Sequence, residues 1–290
     1  MIVVKLIGGL GNQMFQYAFA YRLAKLSGTD LKMDIAGFEK YKLHKVAIHH
    51  LNVNYKQSVI DRQRVNKLIH AYGPARWLKK YGVLKPGIKI IKDKEQGFQE
   101  ELISNYKEDI YLDGFWQSEK YFKPVESEIR DHLRVITPPS PANESILSKI
   151  KNSNAVSVHI RRADYVTNPA TLAFHGICSM DYYKQATDII KSKTPNPRFF
   201  IFSDDIEWAK QNIHFNAEQF FADINNADTN YEDLRLMYSC RHHVIANSSF
   251  SWWGAWMNPL GEKIVIAPGK WYNNPEFNNP DIIPGSWIRI

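Results

Sequence analysis

The sequence is poor in cysteine: only Cys178 and Cys240 occur in 290 residues. That excludes a disulfide framework, and the pair reads as buried thiols in a reducing, cytoplasmic setting. Long apolar runs are missing as well. No stretch approaches the roughly 20 residues of a spanning helix. The start, Met1-Ile2-Val3-Val4-Lys5, has no basic segment ahead of an apolar one, so no signal peptide is expected. Asp-x-Asp is absent, and no His/Cys grouping has metal-ligand spacing. If phosphates are bound, arginine and backbone dipoles must neutralise them, and no metal is expected to be required. There is no low-complexity tract or short-period repeat.

What is present suits a folded α/β protein. Apolar residues make up 44% and aromatics 13%, enough for one large or two modest cores. The net charge of +7 is concentrated. Residues 62–94 hold ten Lys/Arg against one acid, Asp93, a local balance of +9. This segment reads first as a solvated basic face; with Tyr72, Trp77 and Tyr81 among the charges, contact with an anionic membrane surface is the sharper alternative. No nucleic-acid recognition motif accompanies it.

The second half alternates regularly. β-like runs at 155–160, 198–202, 218–221, 243–246 and 263–267 are separated by helix-like stretches. Ser179 can cap a helix over 180–191, a short helix fits 206–212, and Thr229-Asn230-Tyr231-Glu232 has the form of a capping box. Ser249 can open a helix that ends at Asn258-Pro259-Leu260-Gly261. Such alternation predicts a parallel, doubly wound sheet. The first half begins as another β-α-β unit: a strand over 2–7, a glycine turn over 8–13, a buried apolar helix over 14–26 and a strand over 31–34. A strand is expected over 111–115, and 44–108 gives no clear pattern. Thr137-Pro138-Pro139-Ser140-Pro141 resists helix and sheet and marks the linker, giving domains 1–140 and 141–290.

Ligands of doubly wound sheets bind outside the carboxyl ends of the strands. Polar motifs collect at those ends. His159-Ile160-Arg161-Arg162-Ala163-Asp164 follows one strand, Ser203-Asp204-Asp205 the next, and Asn247-Ser248-Ser249 a third. Period-2 alternation turns His159 and Arg161 to one side and Arg162 to the other. One arginine can then face a pyrophosphate while its neighbour pairs with Asp164 or another acid; a surface ion-pair cluster is the plainer alternative. Asp204 and Asp205 can accept from the N–H edge of guanine or cap the next helix. Ser248 and Ser249 offer hydroxyls and N–H groups at a helix start, suited to phosphate or to an ordinary cap. Phe250, Trp253 and Met257 are spaced as a core face, so Trp253 reads as packing. Gly8-Gly9-Leu10-Gly11-Asn12-Gln13 carries two glycines of a dinucleotide fingerprint, with Met14 where the third belongs and Asp34 placed like a ribose-reading acid.

Several of these stretches, in this order, resemble the bacterial α-1,2-fucosyltransferases of glycosyltransferase family 11. They are residues 8–20 (GGLGNQMFQYAFA), 115–122, 159–164, 179–183, 202–205, 240–242, 246–258 (ANSSFSWWGAWMN) and 266–268. The resemblance implies a GT-B-like α/β fold of two Rossmann-type, doubly wound domains with a cleft between them. It implies inverting transfer of L-fucose from GDP-β-L-fucose to the 2-hydroxyl of a β-galactoside without a metal, in surface-glycan synthesis. The acceptor would be a galactoside-terminated glycan or lipid-linked oligosaccharide, met in the cytoplasm or at the inner face of its membrane. By the same likeness Arg161 contacts the diphosphate, Ser248 and Ser249 meet the β-phosphate beside Asn247, and His159 with Asp204 or Asp205 lies near guanine. Gly9, Gly11 and Asn12 approach the fucose phosphate. The general base is not readable; Asp164, Glu119 and Asp34 are the carboxylates to test. An NAD-dependent oxidoreductase is the main alternative and leaves residues 159–164 and 247–249 unexplained. A non-catalytic carbohydrate- or membrane-binding module is a second, and another linkage remains open within the transferase reading.

Overall fold

A computed structural model describes the chain apart from residues 42, 62, 66–87, 94–96, 163–167, 275 and 278. Most of the basic 62–94 segment, and with it the membrane-contact reading, lies outside the described residues. The rest packs as two compact units, Met1–Leu133 and Arg134–Ile290.

The first unit holds a parallel sheet in the order β2-β1-β4-β3, with β1 Ile2–Lys5, β2 Leu31–Asp34, β3 Lys89–Lys92 and β4 Ile110–Asp113. Ile2, Val3 and Val4 are fully buried; a central parallel strand is covered on both faces and so reads as a continuous apolar run. Helix α1, Leu10–Ser27, lays Met14, Phe15, Ala18, Phe19 and Leu23 into the core. It begins four residues earlier than the sequence pattern predicts. Gly9, in extended conformation, is its N-cap, and the Asn12 and Gln13 N–H groups both return to the Gly9 carbonyl. Gly11, Asn12 and Gln13 therefore belong to the first helical turn instead of a loop. At the other end Gly28 adopts a left-handed conformation, φ 58°, that closes the helix.

The second unit is a six-stranded parallel sheet: β5 Asn154–Ile160, β6 Pro197–Ser203, β7 Gln219–Phe221, β8 His242–Val244, β9 Val265–Ala267 and β10 Ile288–Arg289. Their order is β10-β9-β8-β5-β6-β7. From β5 the chain winds one way through β6 and β7, then crosses to β8 and winds the other way. The reversal between β5 and β8 is the topological switch point where such sheets take ligands. Helices α2 Pro141–Lys151, α3 Pro169–His175, α4 Met180–Lys193, α5 Ile206–Asn212, α6 Asn230–Ser239 and α7 Ser249–Met257 complete the unit. Alternation along β6 sends Phe199 and Ile201 to one layer, with Ile160 and Tyr183, and Phe200 and Phe202 to the other, with Leu236 and Met237.

The cap at Ser179 falls where the sequence places it, its Oγ accepting from the Tyr182 N–H at 3.1 Å. The stretch 137–141, read as resisting helix, instead ends in the Ser140 cap with Pro141 as the first residue of α2, a position where the missing proline N–H costs nothing. The capping box at Thr229 does not form. The Thr229 hydroxyl accepts from the Asn226 N–H instead, and Glu232 lies 3.2 Å from Arg235 Nε. The local Asn226 turn and the nearby cation outcompete the reciprocal cap.

Helix α7 is apolar on nearly every side and correspondingly buried, Trp252 and Trp253 completely so, which confirms Trp253 as a packing residue. Gly254 permits this: a Cβ there would stand 2.9 Å from Met237 Cβ on α6. Beyond the helix, Asn258 Nδ2 donates to the Cys240 carbonyl and to His243 Nε2, both at 2.9 Å, and His243 Nδ1 lies 2.8 Å from Ser157 Oγ. Lys263 Nζ donates to the Ala255 carbonyl at 2.9 Å and to that of Asn258. Among the described residues no helix is long and apolar enough to cross a membrane.

Candidate functional site

Strands β5, β6 and β8 deliver the polar ends of the second unit to the switch point. The end of β5 is anchored first: the Tyr183 hydroxyl donates to the His159 carbonyl at 3.1 Å, so strand and α4 are pinned together there. Arg161 Nη1 then lies 2.8 Å from Asp204 Oδ2, at the end of β6. The other oxygen of Asp204 accepts the backbone N–H of Arg162, also at 2.8 Å. Asp204 therefore joins the two strand ends with one carboxylate.

Arg162 takes a different course, as alternation requires. Its guanidinium carbon sits 3.6 Å above the Trp208 ring, and its Nε is 3.7 Å from Asp205 Oδ2. Asp205 also caps α5 through the Trp208 N–H, at 3.3 Å, and Ser203 Oγ accepts the Asp205 N–H. Both arginines thus have an acid beside them. Pairing with an acid, expected for one arginine, is found at both, as two adjacent guanidinium–carboxylate pairs. Asp164 lies outside the described residues, so its expected part is not located.

His159 is buried, with its ring 5.9 Å from that of Phe250 on α7. Burial is the main cause that pushes its pKa down to about 4; Arg161 adds to the fall and Asp204 opposes it. The imidazole is neutral near pH 7, and its Nδ1 makes no hydrogen bond among the described residues. At the end of β8, Ser248 caps α7 by accepting the Phe250 N–H at 3.3 Å, and Ser249 is the first helical residue. Asn247 is spent on structure: its amide donates to the carbonyls of His175, Gly176 and Trp271 at 2.9, 3.3 and 3.2 Å. It positions loops and does not offer its side chain outward. His159, Arg161, Asp204, Asp205, Ser248 and Ser249 are the residues brought to this one edge.

The glycine turn belongs to the first unit. Gly8 has φ +81°, and a Cβ there would meet Asn12 Nδ2 at 2.7 Å, so both conformation and space call for glycine. Asn12 Oδ1 accepts from Gln117 Nε2 at 2.9 Å. Gln13 donates to the carbonyls of Gly8 and Lys45 and accepts the N–H groups of Ala47 and Ile48, four bonds of 2.9–3.2 Å. Gln16 accepts from the Ile7 N–H and donates to the Gly114 carbonyl. Gly9 and Gly11 stand at the start of α1. Of the other carboxylates, buried Asp34 is held by the Tyr111 hydroxyl at 2.6 Å and by the Ala36 N–H, so it is a structural acceptor. Glu119 lies 3.2 Å from Lys123.

Trp208 and the two glutamines escaped the sequence reading. The signal for Trp208 was its place three residues after Asp205, on the first turn of a capped helix, within reach of the strand end carrying Arg162.

The chain as a whole has known relatives. The alpha-1,2-colitosyltransferase of Escherichia coli is 35% identical over all of this chain and 99% of the relative. The galactoside 2-alpha-L-fucosyltransferase SEC1 of Bos taurus is 24% identical over 86% of this chain and 62% of the relative. Among solved structures, a variant of Arabidopsis thaliana FUT1 in complex with GDP superposes with a TM-score of 0.52 at 10% identity, covering 91% of this chain and 69% of the other. That likeness concerns the fold, which is of the GT-B type: α/β with parallel, doubly wound sheets. The profile described as glycosyl transferase family 11 matches residues 1–290, and the chain belongs to that family.

Proposed function

We propose that the chain transfers L-fucose from GDP-β-L-fucose to the 2-hydroxyl of a β-galactoside, with inversion and without a metal, during synthesis of a surface glycan. The observation that carries this reading is the gathering of Arg161, Asp204, neutral His159 and the capped start of α7 at the β5/β8 switch point. The names of the relatives supply an α-1,2 linkage, a galactoside acceptor and a fucosyl donor, and the solved structure supplies GDP as a ligand.

As the bond from C1 to the phosphate oxygen breaks, the sugar becomes oxocarbenium-like and GDP gains negative charge. A guanidinium and the amide end of a helix, already oriented, stabilise that charge without reorganising. Arg161 would exchange part of its contact with Asp204 for phosphate oxygens. The two side chains are 23% and 20% exposed, and phosphate oxygens would take over the guanidinium as that contact loosens. The neutral imidazole of His159 adds no repulsion toward N–H donors of the base. Gly9, Gly11 and Asn12 would face the sugar phosphate, and Asp164 and Glu119 remain the carboxylates to test as the base. The acceptor proton can also leave late, to water or phosphate.

Colitose transfer is the second reading, favoured by the 35% identical relative. Colitose is L-fucose without its 3-hydroxyl, so the two donors differ in one polar group. The test is incubation of the protein with GDP-fucose or GDP-colitose and a panel of galactosides, with and without EDTA, reading released GDP and the product linkage. Transfer from GDP-fucose to the galactose 2-hydroxyl, unaffected by EDTA, is expected. Absence of GDP release with either donor, or a strict need for magnesium, would overturn the reading.

A further inference from the structure

Asn247 follows β8 and precedes the Ser248 cap, yet its amide reaches sideways to the carbonyls of His175 and Gly176, where α3 ends, and of Trp271. Those two loops carry an aromatic cluster. The Phe174 ring is 4.5 Å from Phe277 and 5.5 Å from Tyr272, both edge-to-face, and His175 is 5.7 Å from Tyr272. The loops are locked to each other as well as to Asn247. The N–H groups of Asn273 and Asn274 both donate to the Phe174 carbonyl, at 2.9 and 3.2 Å. Gly176 has φ +68°, and a Cβ there would strike the Asn273 amide at 2.6 Å. Asn168 holds the other end of α3 as its cap.

The cluster opens to solvent through Phe277, while Phe174, His175 and Tyr272 are half-buried. Phe277 is 41% exposed and neighbouring Ile177 39%. Aromatic side chains that keep one side on the protein and one in water suit a ligand that is itself part apolar and part polar. A rigid group of rings with an imidazole among them fits one ligand chemistry well: a pyranose, which has an apolar C–H face bordered by hydroxyls.

We infer that Phe174, His175, Tyr272 and Phe277 form the acceptor platform, on which a galactoside lays its C–H face while its hydroxyls reach the imidazole and the Asn273 amide. This inference rests on the transferase reading. Asn247 then has a positioning role: it ties the platform to the same strand end that leads into α7. The rings select the acceptor and leave the nucleotide contacts unchanged.

The test compares Phe277→Ala, Phe277→Leu and Phe277→Tyr with the unaltered protein. Leucine keeps apolar bulk and loses the ring face; tyrosine keeps the ring. With saturating donor, the acceptor KM should rise about tenfold in the alanine and leucine variants and stay within twofold in the tyrosine variant. GDP binding, read by thermal shift, should remain within twofold in all three. Saturation-transfer NMR of methyl β-galactoside with the GDP-loaded protein gives a readout independent of turnover, and its signals should weaken in the alanine and leucine variants alone. Unchanged acceptor KM and NMR signals, or full retention by leucine, would overturn the inference. A failure of the transferase reading looks different: the unaltered protein itself would release no GDP from a sugar donor.

Discussion

The turns after β1 and after β5 occupy the same place in their units, at the carboxyl edge of a central parallel strand, and they use opposite chemistry. After β1 the polar side chains are amides, and two of them, Gln13 and Gln16, are consumed by backbone groups of their own unit. After β5 they are guanidinium and carboxylate groups in half-exposed pairs, beside a buried imidazole. A buried amide bond is costly to break, because the orphaned backbone group loses its only partner. An ion pair with some solvent access is less costly to rearrange, because water or a ligand can replace the lost contact. The glutamines of the first turn therefore hold the fold, while the pairs after β5 are the contacts open to rearrangement.

Substitutions can break or sharpen this contrast. The largest effect is expected at Arg161. Arg161→Ala and Arg161→Lys should each lower kcat/KM by about 10²–10³-fold, because one preorganised charge donor is lost and an ammonium cannot reproduce the planar fork. Thermal stability should barely move. A lysine variant near full activity would mean that the β5 turn is as structural as the first.

Next is Gln13→Leu, which strands two N–H groups and two carbonyls. It should cost about 2–3 kcal/mol in urea unfolding, while GDP affinity of the folded fraction is retained. Loss of GDP affinity at full stability would reverse the assignment of the two turns.

A smaller, pH-dependent effect is expected at His159. The unfolded chain takes up this proton near the ordinary value of 6.5, the folded one only near 4. Protons therefore favour unfolding, and the stability His159 provides above pH 6.5 is lost as pH falls toward 4. Buried His243 acts in the same direction. Asp233, raised to about 7 chiefly by desolvation, acts in the opposite one, its contribution fading as pH rises toward 7. The stability difference between the unaltered protein and His159→Gln isolates the term, and it should change between pH 6.5 and 4 and be flat above. The smallest effect is the cap at Asp205: Asp205→Ala should cost about 1 kcal/mol, and more than that would show that Arg162 depends on it.

Much of the second unit was legible because its central strands are buried on both faces and joined by short, capped helices. Helices α5 and α7 match their predicted bounds. The first unit was harder to read. Strand β3 is an edge strand whose sequence is KIIK, with Lys89, Ile90 and Lys92 exposed, so it lacks the apolar run that marks a central strand. The glycines of residues 8–11 suggested a loop, and the start of α1 was placed four residues late, because glycine was read as a helix breaker where one serves as a cap and another is tolerated. At the site, residue types announced Arg161 and Asp204, since charged groups at a strand end have a local signature. The commitment of Asn247 was invisible, because its partners lie 24 to 72 residues away. So was the embrace of Asp34 by Tyr111, 77 residues on.

The lysine behind α7 has a consequence at the other end of that helix. Lys263 sits against carbonyls at the tail, so the negative pole of the peptide dipoles is answered inside the protein. The leading pole keeps its partial positive charge, with no acid in its first turn to cancel it. A helix neutralised at one end only behaves as a fixed fraction of a cation, its unanswered pole left by a residue at the opposite end.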